Sequence, residues 1–245
     1  MGEAVENRRC WASHRGDCDR TLSREHLISK ALFSGSTASV SGFSWCENPQ
    51  RIGINALTRK FLCRRHNSAL SPTDEAIAAL NMTAAKSGAE TKISGYALES
   101  WFLKTLINLS YGCEENIGIG MSDRVAGRPP PYLVEVALGR LRFSHWMGLY
   151  VLSTRETYQA LQGEILFAPF TKNADIGGAL FEVAGINFFL SLLPGHCPTT
   201  IGEIASSTWP RHIASAPLVH RPTFVEVRQW QNEQSRIALD WAHAA

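Results

Sequence analysis

Two short stretches hold the residue types able to do chemistry. The first runs Cys18-Asp-Arg-Thr-Leu-Ser-Arg-Glu25-His26-Leu-Ile-Ser29, the second Leu62-Cys63-Arg-Arg-His66-Asn67-Ser68. Cys63-x-x-His66 at the start of a helix is a metal half-site, because both side chains can turn toward one point. Cys10 and Cys18 complete a Cys3His set of zinc type. The gap between them is longer than the roughly two to four residues of a common zinc knuckle, so His14 or Cys46 stays open as a replacement for Cys10. Glu25 and Asn67 offer hard oxygen donors suited to Mg2+ or Mn2+. His26 titrates near neutrality and suits a general base. Phosphodiester hydrolysis needs a base for water, a cation for the developing charge and a fixed in-line geometry, and these residues supply candidates for each. Taken alone, Glu25-His26 reads as a surface pair and the cysteines as buried thiols. The metal reading wins because this segment is poor in large apolar residues, and a sub-domain that small needs a staple.

The elements that must position these residues are short. Cys10 to Cys18 reads as a loop turning at Gly16-Asp17. Leu22 to Leu32 reads as a short strand with Glu25 and His26 in its middle, where neighbouring side chains point to opposite faces. Residues 34–50 read as a long loop, and Arg51 to Leu62 as a second extended segment. Cys63 opens a helix that re-orients near Ser71-Pro72, where a Ser cap, Pro and acids restart it toward Ala85.

Cys…Cys-x6-Glu-His-x-x-Ser, followed after about 36 residues by Cys-x-x-His-Asn, resembles the zinc-bound branch of the HNH endonucleases, within the His-Me finger (ββα-metal) nucleases. The resemblance covers about residues 8–85. It implies two short strands and a helix around one catalytic divalent cation, Mg2+ or Mn2+, with a structural Zn2+ tying the strand base to the helix start. It implies His26 as general base, Glu25 and Asn67 as ligands of the catalytic cation, and Cys10, Cys18, Cys63 and His66 as zinc ligands. A middle residue that positions the base is expected at Asn55, with Asn48 second. The implied partner is DNA, with RNA open and a homodimer as an option. Arg20, Arg24, Lys30, Arg59, Lys60, Arg64 and Arg65 would meet phosphates. The rival expectation is a catalytically inactive, zinc-stabilised module that binds nucleic acid or protein.

Beyond this segment the chain carries no comparable signal. Tyr96 to Tyr111 has helical periodicity stopped by Gly112. Arg128-Pro-Pro-Pro-Tyr132 reads as a rigid connector. Strand-like runs follow at Tyr132–Leu138, Leu141–Ser153, Glu164–Phe170, Ala179–Leu193 and Thr223–Trp230, with a hairpin turn at Gly139-Arg140. Thr154–Gln162 and Gln231–Ala244 read as helices. The fold class expected is α+β: a ββα-metal module over 1–90, then a mainly antiparallel α+β region over 91–245, with the junction near Lys86–Gly95.

Composition agrees with an ordinary folded chain: 245 residues, 44% hydrophobic, 19% charged, net charge +2. The charge is uneven. Residues 1–67 carry 11 Lys/Arg against 6 Asp/Glu, and the rest carries 13 against 16, so the first segment suits an anionic partner. The start of the chain lacks the apolar core of a secretory signal. The apolar run Ile186–Leu193 is too short to span a bilayer. A soluble, cytoplasmic protein with reduced cysteines is expected.

Overall fold

The computed structural model describes residues 7, 9–41, 46, 48–112, 128–153, 165–172, 175–195, 197–204, 211–228 and 234–242. The expected helix at Thr154–Gln162 lies outside them, as do Cys113, His196, Trp209, Trp230 and His243. The fold is α+β. In chain order its elements are β1 (Leu22–His26), β2 (Thr37–Val40), β3 (Gln50–Gly53), β4 (Thr58–Cys63), α1 (Arg64–Ser68), α2 (Ser71–Ala84), β5 (Glu90–Ser94), α3 (Gly95–Gly112), α4 (Pro131–Ala137), β6 (Gly148–Leu152), β7 (Ile165–Lys172), β8 (Asp175–Val183), β9 (Ile186–Ser191), α5 (Arg211–Ala214), β10 (Leu218–His220), β11 (Phe224–Arg228) and β12 (Gln234–Asp240).

β1 and β4 form an antiparallel pair, with Leu22 opposite Cys63 and His26 opposite Thr58. A register shift between Ser23 and Glu25 interrupts the ladder. Such a bulge bends the strand and re-aims its side chains. Between these strands, the segment expected as a loop holds a second pair, β2 on β3, closed over Ala38, Ile54 and Leu57. Cys63 caps α1, its sulfur accepting from the His66 N–H. Ser71 sits in the first turn of α2 rather than at its cap, which is Leu70, and Pro72 stands where a missing N–H is harmless.

α3 is the spine. Trp101, Phe102, Leu103, Leu106 and Ile107 are all fully buried, so the helix is enclosed on every side instead of along one stripe. The Phe102 ring packs on Phe181 of β8 and Phe188 of β9. One continuous hydrophobic cluster runs from Cys10 and Leu62 through α3 to Phe181 and Leu239, so the core crosses the boundary expected near residue 90. The larger sheet is antiparallel, in the order β10-β6-β9-β8-β7. The expected junction at 86–95 instead contains β5, which pairs in parallel with β12 in the sheet β11-β12-β5. No helix among the described residues is long and apolar enough to cross a membrane.

Further elements differ from the sequence reading. Tyr132–Leu138 is helical, because Pro131 starts α4 and Gly139, at φ +71, ends it. No hairpin turn forms there. Ala179–Leu193 is not one run but two strands, turned at Ala184-Gly185 with positive φ at both. Gln234–Asp240 is a strand: Ser235, Ile237 and Leu239 are buried in alternation, the two-residue period of a strand.

α3 also buries polar groups, each with a partner. Glu99, 1% exposed, accepts from the Leu149 N–H at 2.9 Å and pairs with Arg221 at 3.0 Å. Burial pushes its carboxyl up, against the pull of Arg221. Gly148 leaves room for this carboxylate, since a Cβ there would lie 2.3 Å from Glu99 Oε2. Arg221→Met would strand the Glu99 carboxyl in the core. Urea unfolding should then show a loss of about 3–5 kcal/mol.

Candidate functional site

The four expected soft ligands converge. Sγ of Cys10, Cys18 and Cys63 and a ring nitrogen of His66 all lie within 4.8 Å of one another. Nδ1 of His66 is 3.4, 3.7 and 3.2 Å from the three sulfurs in that order. All four side chains are buried. The long gap between Cys10 and Cys18 is taken up by the helical turn Ser13–Arg15, ended by Gly16 at φ +68. The alternatives are excluded by position. Cys46 donates to the Val40 and Asn48 carbonyls, and His14 faces Glu135. The Cys63 N–H donates to Cys10 Sγ at 3.4 Å, a bond that favours a thiolate.

Asp17 completes this cluster, and no spacing in the sequence marks it as part of it. Its Oδ1 is 2.9 Å from His66 Nε2, which fixes the ring so that Nδ1 faces the sulfurs. Arg15 holds Asp17 and Glu135 together, tying the cluster to α4. Burial, opposed by Asp17, holds His66 below the usual imidazole value, so the ring stays neutral and keeps a lone pair to donate. Burial pushes the Cys10 and Cys18 thiols up. A bound cation would reverse that, since a coordinating thiol is deprotonated. The cluster can hold a metal ion such as zinc.

A second cluster lies one residue along from the first. Glu25 is buried, 6% exposed, and turned inward. Its Oε1 lies 2.7 Å from Lys104 Nζ of α3, and the Asn67 amide hydrogen-bonds the same carboxylate. Lys104 Nζ also donates to both Asp74 oxygens at 2.9 Å. Ser29 Oγ donates to Asp74 and accepts from Trp101 Nε1 at 2.6 Å. Burial pushes Glu25 up, and Lys104 pulls it back only in part.

His26 follows on the same strand. Nε2 of its half-buried ring is enclosed and has no hydrogen-bond partner among the described residues. A buried polar atom without a partner calls for an explanation, and a catalytic role is one of the few. Burial, then the charges of Lys30 and Lys104, hold its ring below the usual imidazole value. Its carbonyl accepts from Asn108 Nδ2 at 3.2 Å, and Asn108 Oδ1 accepts from Trp11 at 3.2 Å. The side-chain amide that reaches the His26 backbone is that of Asn108 of α3. Asn55 stands exposed on the turn Ile54–Ala56, its carbonyl accepting from Thr58, and Asn48 is exposed near Cys46.

So Glu25 and Asn67 meet, and His26 follows Glu25 on the same strand. Asp74, Lys104 and Asn108 join them from outside the two stretches. A signal exists for Lys104, the lone cation in Trp101-Phe-Leu-Lys-Thr-Leu-Ile107. Asp74 reads in the sequence only as a helix-start acid. The basic residues Arg20, Arg24, Lys30, Arg59, Lys60, Arg64 and Arg65 are all exposed. An open cleft of about 440 Å³ is lined by Arg9, Arg24, Arg59 and Lys60 together with Asn55 and Thr58.

Comparison with protein-family models, curated proteins and solved structures returned no match.

Metal analysis tests the Cys3His cluster. Cys63→Ser should lose about one bound metal per chain. Asp17→Ala, which leaves all four ligands in place, should bind the metal about 10–100-fold more weakly in a chelator competition.

Proposed function

We propose that the chain is an HNH-type endonuclease of the His-Me finger group, which hydrolyses phosphodiester bonds in DNA with a divalent cation. The observation that carries this reading is the unpartnered His26 Nε2 on the strand that also carries Glu25, whose carboxylate meets Asn67. The order strand, strand, helix (β1, β4, α1) and the Cys3His cluster at their junction support it. In this reading the Cys3His metal is Zn2+, which three thiolates and an imidazole suit, and its role is folding.

His26 takes the proton from the attacking water, which needs the neutral ring that burial favours. Asn108 holds its backbone, and so its ring, in place. The Glu25 and Asp74 carboxylates and the Asn67 amide are hard oxygen donors that fit Mg2+ or Mn2+. When bound, such a cation neutralises charge on the scissile phosphate and on the leaving oxygen. The cleft of Arg9, Arg24, Arg59 and Lys60 takes neighbouring phosphates.

A second reading has its own support. Lys104 stands among the carboxylates, which favours an inactive, zinc-stabilised nucleic-acid-binding module. Plasmid nicking with Mg2+ or Mn2+ separates the two. The wild type should nick and His26→Ala should be slower by about 10²–10⁴-fold; equal rates, or no nicking by the wild type, leave only the binding module. Duplex RNA of the same sequence, tested in parallel, assigns the substrate. Arg24→Ala with Arg59→Ala and Lys60→Ala should flatten the salt dependence of DNA binding by about 0.9 in log–log slope for each phosphate no longer neutralised. An unchanged slope would place the nucleic acid elsewhere.

A further inference from the structure

The cleft beside the β1–β4 pair owes its lining to one irregularity. Ser23 stands opposite Leu62 and Glu25 opposite Arg59, so a single residue of β1, Arg24, faces two of β4, Lys60 and Phe61. That is a β-bulge with its extra residue on β4. In a regular strand neighbouring side chains take opposite faces, and one of Arg59 and Lys60 would turn inward. Here the alternation is broken: Arg59 and Lys60 are both exposed, while Phe61, Leu62 and Cys63 are all buried. Both cations line the cleft, and so does Arg24.

The bulge also engages a third segment. The Phe61 carbonyl accepts from the Trp11 N–H at 3.0 Å, and Arg9, two residues before Trp11, joins the lining. Arg59 is fixed in place, its Nη1 donating to the Ala56 and Thr58 carbonyls at 3.4 and 3.1 Å. Four cations therefore meet in one concavity of about 440 Å³. Among the described residues no carboxylate and no aromatic ring lines it. A cleft lined by one sign of charge focuses its field on an anion. A base edge carries no net charge and would leave the four cations uncompensated, whereas each phosphate of a strand brings one negative charge. Nothing in the lining offers a base a surface to stack on. Arg24, Arg59 and Lys60 all lie on one side of the His26–Thr58 pair, and Thr58 itself lines the cleft.

We propose that this cleft is a base-blind phosphate clamp: it holds a short run of adjacent phosphates of one nucleic-acid strand, to one side of the bond presented to His26, and makes recognition independent of sequence. The clamp rests on the nuclease reading only for the placement of the cut. It also gives Asn55, expected from the sequence to position the base, a different part as a neutral donor in the clamp.

Binding is tested on the zinc-reconstituted full chain without added Mg2+ or Mn2+, by fluorescence anisotropy. The probes are a short labelled oligothymidylate and an abasic strand of the same length, whose sugar–phosphate chain carries no bases. The two should bind within about threefold of each other, because the contacts are to phosphates. Arg59→Ala with Lys60→Ala should weaken both by at least about tenfold, as the loss of two charged phosphate contacts requires. Both residues are exposed, so the double variant should melt at the wild-type temperature. A larger penalty for the abasic strand, a folded double variant that keeps its affinity for both strands, or no binding of either strand by the wild type overturns the proposal.

Nicking is scored separately and tests the sidedness. In an end-labelled duplex, a pair of neutral methylphosphonates should suppress cuts on one side of the pair only; suppression on both sides, or none, overturns the clamp. Strands bound as expected by a chain that nicks nothing leave the clamp standing and remove the nuclease reading. Nicking and binding by the double variant at wild-type levels do the reverse.

Discussion

The buried ammonium of Lys104 is the interaction on which the rest of the site depends. It joins a strand, a helix start and the central helix at one point: Glu25 from β1, Asp74 from α2 and its own backbone in α3. An uncompensated charge in that position would cost several kcal/mol, so the three elements cannot separate without stranding it. Hydrophobic burial holds the elements together in a non-directional way. The ion pair adds a fixed geometry: only one rotation of α3 places Nζ against both carboxylates. The Ser29 hydroxyl and the Trp101 indole extend this network into the core, and extended networks of this kind favour a unique packing when every member is satisfied.

The same helix uses polar side chains at three levels. Glu99 anchors Arg221 and the start of β6, Lys104 anchors the carboxylates, and Asn108 anchors the His26 backbone and Trp11. An all-apolar α3 would pack as well and would be easier to bury. What the polar groups add is registry between the two ends of the chain. The inward face of the β1–β4 pair is completed by α3. The register shift lies ahead of Glu25, between Ser23 and Glu25; Glu25 and His26 pair regularly with Arg59 and Thr58, so their side chains alternate, Glu25 turning inward to Lys104.

Legibility in the sequence follows distance along the chain. Cys63, His66 and Asn67 are readable because a helix start fixes their relation within four residues, and Glu25-His26 because the pair is adjacent. Pairing these with Cys10 and Cys18 needs only one assumption, that the segment is too poor in apolar residues to fold without a metal. Asp17, Asp74 and Asn108 are not readable as site residues, and Lys104 shows only as a lone cation in an apolar run. Their roles are set by partners 30 to 82 residues away, and no local spacing encodes those. Secondary structure departs from the sequence reading where local signals compete. At Tyr132–Leu138 the preceding prolines suggest an extended connector, whereas Pro131 is the first residue of a helix. At Gln234–Asp240 polar residues on the open face hide the alternation, which becomes plain once β5 lies alongside.

The two clusters share one short piece of backbone. His66 faces the three sulfurs and Asn67, the next residue, faces Glu25. α1 has only five residues, too few to be stable alone. Its conformation is held by Cys63 at its cap and by whatever His66 binds. Three thiols and an imidazole packed within 4.8 Å repel one another once the thiols ionise, unless a cation sits among them. A metal there would brace α1 through Cys63 and His66. α1 is also tied by the Arg64 N–H to the Thr21 carbonyl, by the Arg65 N–H to Asp19 and by His66 to Asp17. The Cys3His cluster and the Glu25–Lys104–Asp74 cluster therefore meet through a single peptide bond, that between His66 and Asn67.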